Sequence, residues 1–157
     1  RAVKIASCAL DGRTGHEAGR ALLAALYREE TGLDLPPVAI AAGGKPYFPG
    51  SDWHFSISHT PRRAFCALSR REIGIDAEEL DRNVKLALAE KILSPGERVQ
   101  FDAAPDKRRA LLTFWVLKEA QVKRTGDGLR GYPNGTDFSL NDPRVTEMDG
   151  CLVAVIE

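Results

Sequence analysis

The sequence predicts an α+β fold with mostly antiparallel pairing. Three observations lead there. The coarse order runs strand, helix, several strands, helices, strands, so strand-like runs cluster instead of alternating with helices. Hairpin signals join neighbouring runs. Capping residues open the helices and glycines close them. With 157 residues, 43% of them hydrophobic, the chain suits one domain with a real core or two small lobes packed together.

Ala2 to Leu10 reads as the first strand, with Asp11-Gly12 as a turn. Thr14 to Glu17 fits a capping box. Ala18, Leu22, Ala25 and Leu26 then fall on one helical face, and Gly32 can close the helix. Pro36-Pro37 breaks the pattern. Val38 to Ala42 is a short strand, Gly43 to Pro46 a loop, and Phe55 to Ser58 another short strand ended by Thr60-Pro61. Ala64 to Ser69 and Ile73 to Glu78 read as a hairpin turning at Arg70-Arg71. Val84, Leu88 and Ile92 mark a second helix, and Ser94-Pro95-Gly96-Glu97 is another capping box with proline at the first helical position. Asp106 can cap a long helix reaching Arg124, with Gly126 at its stop. The tail holds a strand around Phe138 and a hairpin through Asp149-Gly150 into Cys151 to Ile156.

Composition removes several function classes. Basic and acidic residues balance at 22 each, which gives no footprint for nucleic acid and no patch for a membrane surface. No apolar run approaches the roughly 20 residues needed to span a bilayer. No signal-peptide pattern opens the chain, and Arg1 in place of methionine suggests a trimmed N-terminus. Cys8, Cys66 and Cys151 are odd in number, widely spaced and without a CxxC, so buried free thiols in a reducing, cytoplasmic compartment are expected. His16, His54 and His59 have no zinc-ligand spacing with them.

Four segments carry chemistry. In GIDAE, Gly74 to Glu78, alternation puts Gly74, Asp76 and Glu78 on one strand face and Ile75 and Ala77 on the other. Two carboxylates on one face repel unless a cation or water separates them, and Gly74 leaves room for a ligand or a backbone. The segment fits an acidic half-exposed strand or a ligand face. In FWVLKEAQVKRTGDGL, Phe114 to Leu129, Trp115, Glu119 and Lys123 form one stripe at i, i+4 and i+8. Glu119 and Lys123 can be a surface ion pair worth about 0.2–0.5 kcal/mol. The density of Leu111, Leu112, Val116, Leu117, Ala120 and Val122 argues that these charges line a cleft instead. In FSISHT, Phe55 to Thr60, adjacent Ser58 and His59 point opposite ways, so they do not form a nucleophile and its base, but they can offer a hydroxyl and an imidazole to an anion. In GGKP, Gly43 to Pro46, a lysine sits in a glycine-proline loop whose spacing does not fit a Walker loop.

In this order and spacing, GKP, FSISHT, GIDAEEL and FWVLKEAQVKRTGDGL together resemble the 4′-phosphopantetheinyl transferase superfamily, most nearly its Sfp-type branch. The resemblance runs from about Lys45 to Leu129. It implies a pseudo-dimer of two small α+β lobes, approximately 1–70 and 71–157, with antiparallel sheets packed by helices and the site between them. It implies transfer of the 4′-phosphopantetheine arm of coenzyme A to a serine of an apo acyl or peptidyl carrier protein, releasing adenosine 3′,5′-bisphosphate. Coenzyme A is then a co-substrate, and Mg²⁺, with Mn²⁺ as an alternative, the metal. Asp76, Glu78 and Glu119 would hold the metal, an all-oxygen set suited to a hard cation. Glu119 would be general base, and Lys123 would contact the phosphates as the bridging bond breaks. Ser58 and His59 would bind coenzyme A phosphates, Lys45 and Pro46 the nucleotide end, and Arg20 the 3′-phosphate. Lys118 matches the motif lysine, although it lies about 100° around the helix from Glu119.

The chain departs from the family in its short N-terminal lobe, where Arg1 and Lys4 are the basic residues before the first helix, and Arg13 and Arg20 would compensate. The segment after Leu129 is also short. A monomer is expected, with neither nucleic acid nor membrane as partner. The alternatives are a transferase specialised for one carrier, a non-catalytic coenzyme A- or carrier-binding protein of the same fold, and a Mg²⁺-dependent phosphohydrolase of another fold.

Overall fold

Strand β1 (Lys4–Ala9) turns through Asp11-Gly12 into α1 (Gly15–Thr31). A computed structural model describes residues 3–126 and 137–157. The Thr14 hydroxyl accepts the Glu17 N–H at 3.0 Å, and the Glu17 carboxylate accepts the Thr14 N–H at 2.8 Å, so the capping box forms. Gly32, at φ 74°, ends the helix in the left-handed conformation. The buried face is Gly15, Ala18, Gly19, Leu23, Leu26 and Tyr27. Ala25, expected on that face, is exposed. The bulk of Leu23 and Tyr27, packed with Phe48 and Phe55, sets the helix's rotation instead.

A small ribbon of β2 (Ala39–Ile40) and β3 (Pro46–Tyr47) carries the Gly43-Gly44-Lys45 turn at its tip. Next come β4 (His54–His59) and β5 (Arg63–Ser69), a hairpin closed by the Thr60 N–H donating to the Arg63 carbonyl at 2.8 Å. The Thr60 hydroxyl accepts the N–H groups of Arg62 and Arg63. Strand β6 (Gly74–Glu79) follows. The expected hairpin between β5 and β6 does not form. β5 is the centre of a sheet ordered β1-β5-β4, while β6 opens a second sheet ordered β6-β8-β7. The reason lies in β5 itself, which is buried on both faces from Ala64 to Ser69 and takes an antiparallel partner on each edge.

After a 3₁₀ turn at Leu86–Leu88 come the short α2 (Ala89–Ile92), α3 (Pro95–Ala103) and the long α4 (Lys107–Thr125). Val84 falls outside the helix expected to include it. Ser94 and Glu97 form the second capping box, Asp106 accepts the Arg109 N–H, and Gly126 stops α4 at φ 76°. The chain ends in the hairpin β7 (Val145–Met148) and β8 (Cys151–Ile156), joined by Asp149 and Gly150 at φ 50° and 78°. Phe138 is not in a strand. Its N–H donates to Glu97 and its carbonyl accepts from Gln100, so side chains of α3 satisfy the backbone there.

The elements make two lobes, each an antiparallel three-stranded sheet packed by a helix, in four layers. α1 covers the outer face of the first sheet through Leu23, Tyr27, Cys66 and Leu68. α4 covers the second through Leu117, Ala120, Ala154 and Ile156. Phe65, Ala67, Ile75, Ala77, Cys151 and Val153 fill the space between the sheets. No helix among the described residues is long and apolar enough to cross a membrane. Cys8, Cys66 and Cys151 are free thiols.

Candidate functional site

The alternation read in Gly74 to Glu78 decides where the charges go. Ile75 and Ala77 enter the core between the sheets, so Gly74, Asp76 and Glu78 must face α4. A Cβ at Gly74 would lie 1.9 Å from the Ala120 carbonyl oxygen and 2.5 Å from the Arg124 nitrogen. The room at Gly74 is therefore taken by the backbone of α4. Because the helix lies directly on the strand there, the stripe of Trp115, Glu119 and Lys123 comes down over Glu78 and Asp76.

Asp76 is 6% exposed. Its Oδ1 lies 3.0 Å from the Lys123 ammonium and accepts the Ser58 hydroxyl at 3.3 Å. Its Oδ2 is buried with no hydrogen-bond partner among the described residues. Burial pushes the Asp76 carboxyl up to about 7 against the pull of Lys123, and repulsion from Glu78 and Glu119 adds to the rise. Glu119 is also raised, first by burial and then by Glu78, with Lys123 opposing. Glu78 Oε2 accepts the Trp115 indole N–H at 3.2 Å and meets the Arg82 guanidinium at 2.6 Å.

Strand β4 supplies the other wall. Ser56 and Ser58 point to β6, where their hydroxyls accept the N–H groups of Ile75 and Ala77 at 3.0 and 3.1 Å. Side-chain oxygens thus join the two lobes where no backbone ladder does. The Ser58 hydroxyl is spent on this joint and on Asp76. His59 is exposed at the end of β4, and its ring fills the space where a Cβ at Gly15 would sit, over the start of α1. Arg20 is half-buried on α1, the layer outside the first sheet, and is not brought to the Asp76 group.

The Gly43-Gly44-Lys45 turn closes over the end of α4. The Lys45 ammonium donates to the Arg124 carbonyl at 2.5 Å and to the Ile73 carbonyl at 3.3 Å. A Cβ on Gly43 would lie 2.2 Å from the Gly126 carbonyl. Burial lowers the Lys45 ammonium from its usual value. Between this turn, β4 and α4 is a cavity of about 270 Å³ lined by Lys45, Pro46, Phe55, Ile57, Val122 and Lys123.

Lys118 is elsewhere. It is 0% exposed and pairs with the equally buried Glu97 at 2.7 Å, on the side of α4 that meets α3 and Phe138. It does not reach the cavity. The 100° between successive helical residues separates it from Glu119. Gly128 and Leu129 of the last motif, and Arg1, lie outside the described residues.

Sequence reasoning missed Ser56, Arg82 and the second duty of Glu97. The alternation Ser56-x-Ser58 was a signal for the first, and the i, i+4 spacing of Glu78 and Arg82 for the second. Nothing local announced that a capping glutamate would also receive Lys118.

Among the described residues, no three His, Cys, Asp or Glu side chains converge closely enough to hold a metal. The donor chemistry still fits a hard cation: every candidate atom is a carboxylate oxygen, and one is buried and unpartnered.

Comparison with known proteins gives one family. Residues 72–150 match the description "4′-phosphopantetheinyl transferase superfamily". A 4′-phosphopantetheinyl transferase of Bacillus subtilis is 36% identical over 102 residues, covering 60% of this chain and 45% of the relative. The transferase HetI of a Nostoc species is 34% identical over 122 residues, covering 71% and 52%. The transferase Sfp of Bacillus subtilis strain 168 is 37% identical over 90 residues, covering 55% and 39%. The matches thus span about half the length of these relatives, or less.

Proposed function

The chain belongs to the 4′-phosphopantetheinyl transferase superfamily, and from that premise we propose that it moves the 4′-phosphopantetheine arm of coenzyme A to a serine of an apo acyl or peptidyl carrier protein. The observation that carries this reading is the buried, unpartnered Oδ2 of Asp76 beside Glu78, Glu119 and Lys123, at the edge of a cavity between the lobes. Repulsion from Glu78 and Glu119 raises the affinity of the Asp76 carboxylate for positive charge. Phosphoryl transfer asks a protein for charge neutralisation and alignment more than for covalent help.

Asp76, Glu78 and Glu119 would hold Mg²⁺ or Mn²⁺. When bound, the cation neutralises the diphosphate of coenzyme A. Glu119, half-buried and raised in its affinity for protons, takes the proton of the carrier serine. The serine oxygen bonds to the phosphorus of the arm, the bridging P–O bond breaks, and adenosine 3′,5′-bisphosphate leaves. Lys123 turns from Asp76 to the phosphates as negative charge moves to the leaving oxygen. Lys45 and Pro46 line the cavity where the nucleotide end would lie, and His59, exposed at the end of β4 beside Gly15, would offer its imidazole to a phosphate. Both lobes, near 1–70 and 71–157, serve one site, so the working unit would be a monomer. Ser58 supports the reading through its bond to Asp76 instead of a direct phosphate contact.

The test is intact-mass analysis of apo acyl and peptidyl carriers incubated with the protein, coenzyme A and Mg²⁺. A gain of one phosphopantetheine is expected, absent with EDTA and with Glu119→Gln. No gain on any carrier, with coenzyme A still bound, would leave a non-catalytic binding protein.

A further inference from the structure

One cation beside the carboxylates has no part in the reading above. Arg82 stands on the turn that follows β6. The turn is anchored twice: the Arg82 N–H donates to the Glu79 carbonyl at 2.9 Å, and the Arg108 guanidinium from α4 donates to the carbonyls of Leu80 and, at 3.1 Å, Arg82. From this fixed backbone the side chain reaches back to Glu78 Oε2 at 2.6 Å, with its guanidinium carbon 5.9 Å from the centre of the Trp115 ring. The same oxygen accepts the Trp115 indole N–H. Arg82 is 42% exposed while Glu78 is 20% exposed, so the cation can swing into water and the carboxylate cannot.

The two strand carboxylates are thus matched. Each has one oxygen engaged by a positive side chain, Lys123 on Asp76 and Arg82 on Glu78. Lys123 lines the cavity that would take the phosphates, so an incoming ligand can draw it away from Asp76. Nothing comparable draws Arg82, which is 42% exposed and does not line that cavity.

We propose that Arg82 competes with the divalent cation for Glu78 and so sets how much cation the site requires. This rests on the reading of Asp76, Glu78 and Glu119 as the cation's ligands, and it deepens that reading by naming the group that must leave. A hard cation and a guanidinium compete for the single negative charge of Glu78, and the two positive groups repel each other across it. Arg82 is a positioning residue: it touches neither coenzyme A nor the carrier. In its resting place it keeps Glu78 paired and oriented against Trp115, and it yields when the stronger cation arrives.

The test is calorimetric titration of Mg²⁺ into the full chain with coenzyme A present and no carrier, so that no turnover contributes. Wild type, Arg82→Ala, Arg82→Lys and Glu78→Gln are compared. Arg82→Ala should bind Mg²⁺ roughly fivefold more tightly, near the upper worth of a part-exposed ion pair. Arg82→Lys should stay near wild type, because it keeps the positive charge beside Glu78 and Trp115. Glu78→Gln should weaken binding. Equal or weaker Mg²⁺ binding by Arg82→Ala would overturn the proposal while Glu78→Gln still marked the site. No Mg²⁺ binding by any form, with coenzyme A bound, would instead sink the metal-site reading and this inference with it.

Discussion

Two faces of α4 carry the same kind of contact in different surroundings. On one face Lys118 meets Glu97, both wholly buried, against α3 and the Phe138 segment. On the other, Lys123 meets Asp76 at the rim of the cavity, with a third of the lysine side chain in water. The first pair is closed. The Glu97 carboxylate also accepts the N–H groups of Ser94 and Phe138, so both of its oxygens are committed. The second is open, because Asp76 keeps Oδ2 without a partner among the described residues. A buried ion pair whose carboxylate oxygens are both committed is a strut, and one with an oxygen left over can exchange partners.

The sharpest way to break this comparison is Lys118→Met. Removing one member of a dry pair strands the other, at a cost of about 3–5 kcal/mol. Urea unfolding of the variant should show that loss, and adding Glu97→Leu should not restore it. The double variant leaves the Ser94 and Phe138 N–H groups without their acceptor. Full recovery in the double variant would mean that Glu97 matters only through Lys118.

Gly74→Ala probes how the open face is assembled. The added Cβ would meet the Ala120 carbonyl at 1.9 Å, and backbone has no rotamer with which to give way. α4 has to lift from β6. We expect a loss of about 1–3 kcal/mol, typical of overpacking, together with loss of carrier loading as Glu119 and Lys123 move away from Asp76. Retained stability with lost loading would show that the helix can slide without unfolding.

Lys123→Met is expected to abolish loading at a smaller cost to the fold than Lys118→Met. The difference comes from what the abandoned carboxylate can do. Asp76 already holds its proton to about pH 7 in the folded chain, against an ordinary value of 3.8, because it is buried. Without Lys123 it stays neutral at pH 7 and strands no charge. The sign follows. Between pH 4 and 7, roughly, the native state binds more protons at Asp76 than the unfolded chain, so this group's contribution to stability falls as pH rises. In the variant the fall should extend to higher pH, and in Asp76→Asn it should vanish. Thermal melts across pH, in EDTA, would check both.

The two lysines also show what was legible in the sequence. Signals that act within four residues read true: the capping boxes at Thr14 and Ser94, the left-handed Gly32 and Gly126, and the Asp149-Gly150 hairpin. The period-two split of Gly74 to Glu78 was legible too, since a strand has only two faces. What failed depends on distant partners. Arg70-Arg71 looks like a hairpin turn, but β5 had already taken β1 and β4 as neighbours, so β6 joined β8. Lys118 and Lys123 sit in the same apolar run, and their roles diverge because one faces Glu97, 21 positions earlier, and the other Asp76, 47 positions earlier. Ser58 reads with His59 as an anion motif, while in the fold the hydroxyls of Ser58 and of Ser56, which carried no reading, join the lobes.

A third cation–carboxylate contact extends the comparison to open water and should show the smallest effect. Arg62 is exposed and contacts Glu79 at 2.6 Å and Asp81 at 2.9 Å. Its hydrogen bonds hold both carboxyls below their ordinary values. A depressed carboxyl stabilises the fold above its unfolded value, and that contribution is lost as pH falls through the folded one. Arg62→Ala should therefore melt slightly below wild type at neutral pH and together with it in strong acid. The gap should also narrow in high salt, which screens exposed pairs and leaves Lys118–Glu97 untouched. A gap that ignored both acid and salt would mean that Arg62 works through packing, and that the gradient from dry strut to open cleft to surface does not govern these pairs.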